Sequence, residues 1–299
     1  MGDLSLEFDP AASRCIVCSG GISHWKTKFA HGQQFAYDRC ARCGQVFVNP
    51  RPTLAALGWY YTNYAALSGT SPAKPTELAT PAAGPPQRTL INKMLALRPG
   101  PGRFLDVGSG QGTATAAAHE RGLAVTALEI EPAFVEATRR LPGVRALPLL
   151  FEQFEAGEDA FDYILMSHVL EHVHDPLAFM QKAARMLSPG GSVWVLAPSF
   201  DSIYRRILGT GDPYFIPPAH LNHFNPENLA QLCRRVGLEV MESTDYHDVP
   251  RNVIAKRFPR LLRPAIEGAT AVGASIACWA TGVCGWGAFV RCVARKRLA

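Results

Sequence analysis

The sequence predicts an α/β fold in which a doubly wound, mainly parallel sheet follows a small cysteine-containing module. Three observations carry this prediction. From about residue 88 onward, apolar runs alternate with helical stretches, which is typical of a parallel sheet with crossover helices. A glycine-rich turn, FLDVGSGQG over residues 104–112, closes one apolar run and opens a helix. Two CxxC pairs lie in the first 50 residues.

The elements follow one another in a regular order. Seven strands are predicted, at 103–107, 123–130, 144–150, 162–167, 192–197, 238–243 and 287–294. Helices are predicted at 51–64, 113–121, 132–141, 175–187 and 226–236, with Asn225 as a plausible N-cap and Gly237 as the C-terminal cap of the last. Residues 65–87 are rich in Ala, Pro, Ser and Thr, which predicts a flexible connector. We therefore expect an N-terminal module over 1–64 and a main domain over 88–299.

Composition and charge limit the classes of function. Of the 299 residues, 47% are hydrophobic and 18% are charged, which is an ordinary globular balance. A formal net charge of +5, carried by scattered lysines and arginines, is too weak to predict a nucleic-acid partner. The first ten residues contain Asp3, Glu7 and Asp9 and no signal-peptide pattern. We therefore expect a cytoplasmic protein whose cysteines are reduced.

One apolar stretch complicates this expectation. Residues 268–290 contain no acidic, basic or histidine side chain, and they are numerous enough to span a bilayer. The stretch is rich in Gly and Ala and contains Thr270, Ser275 and Thr281, which favours a buried helix leading into the last strand. Membrane association through 268–290 is the alternative.

The glycine turn and the acid that follows it indicate a ligand with a ribose and no phosphate. Gly108, Gly110 and Gly112 let a ligand approach the backbone, and the helix N-terminus behind them offers free N–H groups to a carboxylate. Asp106 suits a cationic amino group and is unfavourable beside a pyrophosphate. Glu129 ends the next strand, 17 residues after Gly112, where a carboxylate accepts hydrogen bonds from a ribose diol. These features describe S-adenosylmethionine.

Two other functions compete with this interpretation. A Rossmann-type NAD(P)-dependent oxidoreductase carries the fingerprint G-x-G-x-x-G, whereas this turn reads G-x-G-x-G with Thr113 at the position of the third glycine. The spacing and Asp106 oppose the oxidoreductase. A non-catalytic binding protein that has lost its activity is the other alternative.

Four segments resemble the class I S-adenosylmethionine-dependent methyltransferases, at residues 103–112, 123–132, 161–176 and 187–198. FLDVGSGQG resembles the first motif of that family, ALEIEP the second-strand motif, and LSPGG the run after the fourth strand and its helix. The resemblance implies that the glycine turn binds the methionine moiety and that Glu129 binds the ribose. It places an adenine-contacting loop at LLFEQF, with Phe151 and Glu152 as candidates, and adds Ser167 to the cofactor residues. The implied acceptor is a small molecule, for example a sugar or a natural-product intermediate.

The cysteine pairs predict a metal site. Cys15 and Cys18 are separated from Cys40 and Cys43 by 21 residues, just past the usual range for a zinc ribbon. Each pair can present two thiolates to one tetrahedral zinc, and four protein ligands favour a structural role. Redox use of the CxxC pairs and unrelated free cysteines are the alternatives. Residues 37–52 also resemble the zinc-binding N-terminal module of a methyltransferase subgroup that includes sugar C-methyltransferases, in which the module helps enclose the acceptor.

Three histidines are candidates for acceptor chemistry. His168 follows the fourth strand, at the edge that lines the ligand crevice of an open α/β sheet. His220 and His223 lie in segment 198–225, the predicted cover of the acceptor side. Because histidine is the natural general base near neutral pH, His220 or His223 is predicted to take the acceptor's proton, with His168 next. Glu171 and His172 resemble the family's E-H pair. Hydrogen bonds that fix the loops are the structural alternative for all of them.

Overall fold

A computed structural model describes residues 6–63, 78–158, 160–246 and 287–298 of the chain, and these form two β-sheets with helices. The strands are β1 (Ile22–Ala30), β2 (Gln33–Cys40), β3 (Val46–Val48), β4 (Arg103–Val107), β5 (Ala124–Leu128), β6 (Arg145–Leu147), β7 (Phe161–Ser167), β8 (Leu187–Pro198), β9 (Asn222–His223), β10 (Glu239–Tyr246) and β11 (Phe289–Arg295). The helices are α1 (Leu54–Thr62), α2 (Pro85–Leu97), α3 (Thr113–Glu120), α4 (Pro132–Thr138), α5 (Pro176–Met186), α6 (Ile203–Leu208) and α7 (Pro226–Arg235). A single 3-10 turn, Gly209–Gly211, follows α6.

The larger sheet has seven strands in the order β10-β11-β8-β7-β4-β5-β6. Strands β4 to β8 run parallel, and β11 is antiparallel to both β8 and β10. The chain moves outward from β4 to β6 and then returns to β7 on the other side of β4. This reversal creates a crevice at the carboxyl ends of β4 and β7, where open α/β sheets bind their ligands. The predicted doubly wound, seven-stranded fold is confirmed.

Local sequence explains where the helices begin. Asp175 caps α5 by accepting from the backbone N–H groups of Leu177 and Ala178, and Asn225 forms a capping box with Asn228 at the start of α7. Both helices then have proline at their first position, where its missing N–H costs nothing. The N-cap predicted at Asn225 is therefore present.

Several boundaries differ from the prediction: α2 was not predicted and begins at Pro85, inside the expected connector, and the LSPGG boundary has a clear physical cause. The LSPGG run was expected to end a helix, but it forms the start of β8, five residues before the predicted strand at 192. Gly190 donates to the carbonyl of Lys296, and Lys296 donates to the carbonyl of Gly191. The backbone beyond β11 thus continues the antiparallel ladder, which extends the strand across these glycines.

The smaller sheet has the order β1-β2-β3-β9 and is antiparallel throughout. Its fourth strand, β9, comes from the segment between β8 and α7, and pairs Val46 with His223 and Phe47 with Asn222. The N-terminal module therefore completes its sheet with residues of the main domain. The domain limits at 64 and 87 stay a prediction, because residues 64–77 of the expected connector lie outside the described ranges.

Asn222 is the centre of the contact between the two sheets. Its side-chain amide donates to the carbonyls of Leu170 (3.1 Å) and Val173 (2.7 Å) and accepts from Nη2 of Arg51 at 2.6 Å. Both Arg51 and Asn222 are buried. Burial lowers the pKa of Arg51 to about 10, with partial compensation from the charge of Asp175. Arg51 therefore keeps its charge at neutral pH and bonds to Asn222 away from water.

The apolar stretch 268–290 lies outside the described residues except for 287–290. Its last two residues, Phe289 and Val290, begin β11, as the prediction of a final strand required. The expected helix cannot be compared with the structure. Across the described ranges, none of the helices combines the length and the apolar character that a membrane span needs.

Replacing Asn222 tests whether this residue holds the sheets together. We expect Asn222→Ala to lower the free energy of unfolding by about 2–4 kcal/mol, because a buried hydrogen bond to a charged group contributes about 1.5–3 kcal/mol and an unsatisfied partner adds to the loss. Chemical denaturation would measure the change. The control is Asn63→Ala at the exposed end of α1, for which a change within about 0.5 kcal/mol is expected. Equal effects of the two substitutions would contradict the assignment.

Candidate functional site

The glycine turn lies at the carboxyl end of β4, in the centre of the large sheet. Gly108, Gly110 and Gly112 all have positive φ, between +51° and +70°, a region that favours glycine. A Cβ on Gly108 would come within 2.8 Å of Val169, and a Cβ on Gly112 within 2.7 Å of Thr138. At Gly110, by contrast, no described residue other than its chain neighbours has an atom within 4 Å of that position. Two glycines therefore allow close packing, and the middle one leaves open space above the backbone.

Glu129 lies directly against this turn. It follows β5, the neighbour of β4, and its Oε2 accepts from the backbone N–H of Gly110 at 2.7 Å. Its Oε1 accepts from the N–H groups of Ile130 (2.7 Å) and Glu131 (2.9 Å). A carboxylate offers about four acceptor positions, so one remains on Oε2 beside the open space at Gly110. The turn and the acid that the sequence predicted to act together are in contact.

Asp106 lies beneath the turn and is buried. Its Oδ2 accepts from the hydroxyl of Thr115 at 2.7 Å. Burial raises the pKa of Asp106 to about 7, although the hydrogen bond from Thr115 opposes the shift. A cationic group nearby would favour the ionised carboxylate. This environment fits the amino group expected of the cofactor.

The three other predicted cofactor residues have different surroundings. Phe151 is buried, and its ring packs on that of Phe179 with 4.5 Å between centroids. This burial in the core speaks against stacking of the Phe151 ring on adenine. Glu152 is exposed and Ser167 is partly exposed at the end of β7. Their roles stay predictions, and Glu152 is the better placed of the two loop candidates.

The acceptor-side residues gather around Glu171. His168, which has a φ of +58°, places its Nδ1 3.3 Å from Oε1 of Glu171. Glu171, His172 and His220 each bring one nitrogen or oxygen atom to within 4.8 Å of the others. Burial raises the pKa of Glu171, but the facing imidazoles of His168 and His172 lower it by a larger amount. The net shift of this pKa is therefore downward. The structure thus brings His168 and His220 together, as part of a cluster that the sequence did not predict.

The predicted role of His223 requires a correction. His223 is buried in β9 and stacks on Phe215 with 4.0 Å between ring centroids and an 11° angle between planes. Its Nε2 has no hydrogen-bond partner in the part of the chain that the structure describes, and burial lowers its pKa well below the usual value. A buried neutral ring of this kind is poorly suited to take a proton. His223 therefore belongs to the core of the smaller sheet.

His220 is also buried, but it faces the Glu171 cluster. Its Nδ1 lies 2.7 Å from the carbonyl of Tyr214, and its ring is perpendicular to that of His172 with 4.7 Å between centroids. Burial lowers the pKa of His220 to about 4, with a further contribution from His172. His220 and His223 lie three residues apart but do not share a helical face, because His223 lies in a strand. Of the two histidines in segment 198–225, only His220 lies in the Glu171 cluster with His168.

Sequence reasoning missed two residues at this edge. The hydroxyl of Tyr61, on α1, lies 3.1 Å from Nδ1 of His172, and Arg51 holds Asn222 next to the cluster. The aromatic residues at 59–61 indicated a helix, but nothing in the sequence indicated that Tyr61 contacts His172. For His172, the alternative of a loop-fixing hydrogen bond agrees with the 2.9 Å contact between its Nδ1 and the carbonyl of Ala219.

The four paired cysteines converge at the base of the smaller sheet. Their Sγ atoms all lie within 4.8 Å of one another, with 3.6 Å between Cys15 and Cys43 and 3.4 Å between Cys18 and Cys40. Backbone N–H groups of Val17 and Arg42 point at the sulfurs of Cys15 and Cys40. The predicted grouping of these cysteines is present.

Comparison with known families decides the identity of the domain. A family model described as a methyltransferase domain matches residues 85–243, which is more than half of the chain. The chain belongs to this methyltransferase family. The matched region contains the glycine turn, Glu129 and the Glu171 cluster. This methyltransferase is S-adenosylmethionine-dependent, and the open space at Gly110, the free acceptor position on Glu129 and the buried Asp106 fit that cofactor.

Individual relatives agree with the family. A ubiquinone biosynthesis O-methyltransferase of Xanthomonas campestris pv. campestris is 30% identical over 216 residues, covering 65% of this chain and 87% of the relative. Another of that name, from Parvibaculum lavamentivorans, is 35% identical over 98 residues, covering 31% of this chain and 39% of the relative. The solved 1,6-didemethyltoxoflavin-N1-methyltransferase of Burkholderia thailandensis, with bound 1,6-didemethyltoxoflavin and S-adenosylhomocysteine, has a TM-score of 0.52 at 20% identity, covering 86% of this chain and 97% of that one. At 20% sequence identity, this structural similarity shows a shared fold alone.

The ribose assignment can be tested by binding. We expect Glu129→Ala to weaken S-adenosylhomocysteine binding by about 2–4 kcal/mol, since hydrogen bonds to a charged group contribute about 1.5–3 kcal/mol. Isothermal titration would measure the affinity. Glu131→Ala, which removes the next carboxylate along the chain, is the matched control and should bind like the wild type. Unchanged affinity in Glu129→Ala would show that the ribose binds elsewhere.

Proposed function

We propose that this methyltransferase transfers the methyl group of S-adenosylmethionine to a small-molecule acceptor at the carboxyl ends of β4 and β7. The observation that carries the proposal is the contact between Glu129 and Gly110, because it joins a ribose-binding acid to an open glycine turn. The acceptor class is supported by relatives whose names specify small molecules, ubiquinone biosynthesis and 1,6-didemethyltoxoflavin. The oxidoreductase alternative lacks the dinucleotide spacing and is not favoured by these relatives.

Each cofactor residue has a proposed part. The turn over Gly108, Gly110 and Gly112 holds the methionine moiety, Asp106 balances the charge of its amino group, and Glu129 binds the ribose. Glu152 and Ser167 flank the adenosine. Because the sulfonium of the cofactor carries the intrinsic reactivity, the chain mainly has to align an acceptor with the methyl group and allow its proton to leave. His168 and His220 lie where the acceptor would bind.

We also propose that the four cysteines bind one zinc ion with a structural role. With zinc–sulfur bonds of about 2.3 Å, tetrahedral geometry separates the sulfurs by about 3.8 Å, which agrees with the spacing of Cys15, Cys18, Cys40 and Cys43. Their four sulfurs complete the coordination and leave no position for substrate. Thiolate ligands require a reducing compartment, and this supports a cytoplasmic location.

The zinc proposal predicts one equivalent of zinc in the purified chain. Cys18→Ser and Cys40→Ser each remove a ligand, so elemental analysis should find most of the zinc lost. Cys233→Ala is the control, because Cys233 is buried beside Cys292 and is not one of the four grouped cysteines, so the zinc content should stay unchanged. A wild-type protein that is folded without zinc would contradict the proposal.

The acceptor class can be tested with a labelled methyl group. The chain, incubated with methyl-labelled S-adenosylmethionine and separate pools of hydroxylated aromatics, sugars, tRNA and protein, should label a small-molecule pool. Glu129→Ala at limiting cofactor should lower the labelling by about 30- to 1,000-fold, the equivalent of about 2–4 kcal/mol in cofactor affinity. Label found only in tRNA or protein would refute the small-molecule acceptor.

A further inference from the structure

We propose that Glu171, His172 and His220 form a second metal site, separate from the cysteines, which binds one divalent transition-metal ion beside the cofactor turn. The three side chains come from two segments of the chain, and each brings one nitrogen or oxygen atom to within 4.8 Å of the other two. Two imidazoles and one carboxylate are a common ligand set for such ions and leave coordination positions open.

The hydrogen bonds of both histidines prepare them as ligands. Nδ1 of His172 lies 2.9 Å from the carbonyl of Ala219, and Nδ1 of His220 lies 2.7 Å from the carbonyl of Tyr214. Because a carbonyl can only accept, an Nδ1 that bonds to it carries the proton, and Nε2 then keeps a free lone pair. The hydroxyl of Tyr61, 3.1 Å from Nδ1 of His172, fits this tautomer because it can donate to the same carbonyl of Ala219. Metal-binding histidines usually have this arrangement, in which the second nitrogen donates to a carbonyl or carboxylate.

Glu171 gives the second and independent indication. Its side chain is 2% exposed, and neither carboxylate oxygen accepts a hydrogen bond within the ranges that the structure describes. A buried carboxylate needs a compensating cation. An ion bound with His172 and His220 would supply that charge. The competing arrangement is a protonated His168, whose Nδ1 lies 3.3 Å from Oε1.

The site is rigidly connected to both halves of the structure. The backbone carbonyl of Glu171 accepts from the N–H groups of Leu221 (2.8 Å) and Asn222 (3.0 Å), which fixes His220 relative to Glu171. Val169, two residues earlier, lies directly behind Gly108 of the cofactor turn. The ion would therefore lie between the cofactor and the segment that carries β9.

This position suggests what the ion does, and that role rests on the proposed function. An acceptor hydroxyl bound to the ion would lose its proton to water more readily. Its oxygen would then bond to the methyl carbon while the carbon–sulfur bond breaks and leaves its electron pair on sulfur. Binding of the ion itself does not depend on this role.

Cobalt(II) titration tests the site directly. The full chain, prepared with one equivalent of zinc on its cysteines and with excess zinc removed, should take up one further equivalent of cobalt(II). Its visible bands should be those of nitrogen and oxygen ligands, without the intense thiolate charge-transfer band. Glu171→Gln and His220→Gln should each weaken this uptake by at least about tenfold. His119→Gln, at a partly exposed histidine on α3 whose Nε2 lies 2.8 Å from the carbonyl of Pro142, is the control and should bind cobalt like the wild type.

The possible results separate the explanations. Absence of a second equivalent in the wild type would overturn the proposal, and it would assign the cluster to an ion pair between His168 and Glu171. Unchanged uptake in both Glu171→Gln and His220→Gln would also overturn it. Zinc content and S-adenosylhomocysteine binding would verify that each variant is folded. Since the titration measures ion binding alone, failure to find a small-molecule acceptor would leave its outcome unaffected.

Discussion

The pairing of β9 with β3 is the contact on which the rest of the structure depends. It joins residues of the N-terminal module to the segment between β8 and α7, and the supporting hydrogen bond between Arg51 and Asn222 links residues 171 positions apart. Closing so long a loop carries an entropic cost, which buried and charge-assisted hydrogen bonds offset. Once formed, the same two-residue strand brings His220 to Glu171 and covers the carboxyl edge of β7.

The cysteine module shares its core with the main domain, because Phe35 and Tyr37 of β2 pack in one apolar cluster with Phe215. Along β1 most side chains are exposed or half-buried, and β3 has only three residues. Cys15 and Cys43 instead pack into the apolar cluster that contains Leu229 of α7, and Arg235 at the end of that helix bonds to the carbonyl of Val17. A sheet this small cannot be stabilised by apolar burial alone. The neighbouring domain supplies part of the missing stability, and the proposed zinc ion at the four cysteines would supply more.

How much of the site was predictable depends on the distance between its parts in sequence. The glycine turn and Glu129 lie at the ends of adjacent parallel strands, so their spacing predicted that they serve one ligand, and the CxxC pairs predicted their own cluster. The pairing of His223 was not predictable, because nothing in the run PPAHLNHF indicates the short strand β3 as its partner. The burial of Phe151 did have a signal, since Phe154 three residues later is buried with it.

Charge explains why these groups share one edge of the sheet. Asp106, Glu129 and Glu171 all follow or end neighbouring parallel strands, yet the described lysines and arginines form no ion pair with any of them. Within the described ranges, lysine and arginine side chains therefore do not neutralise this edge. A cofactor with a sulfonium and an ammonium group supplies two cations there, and an ion at Glu171 would supply a third. The same acids that are costly to bury alone become favourable contacts once their cationic ligands are bound.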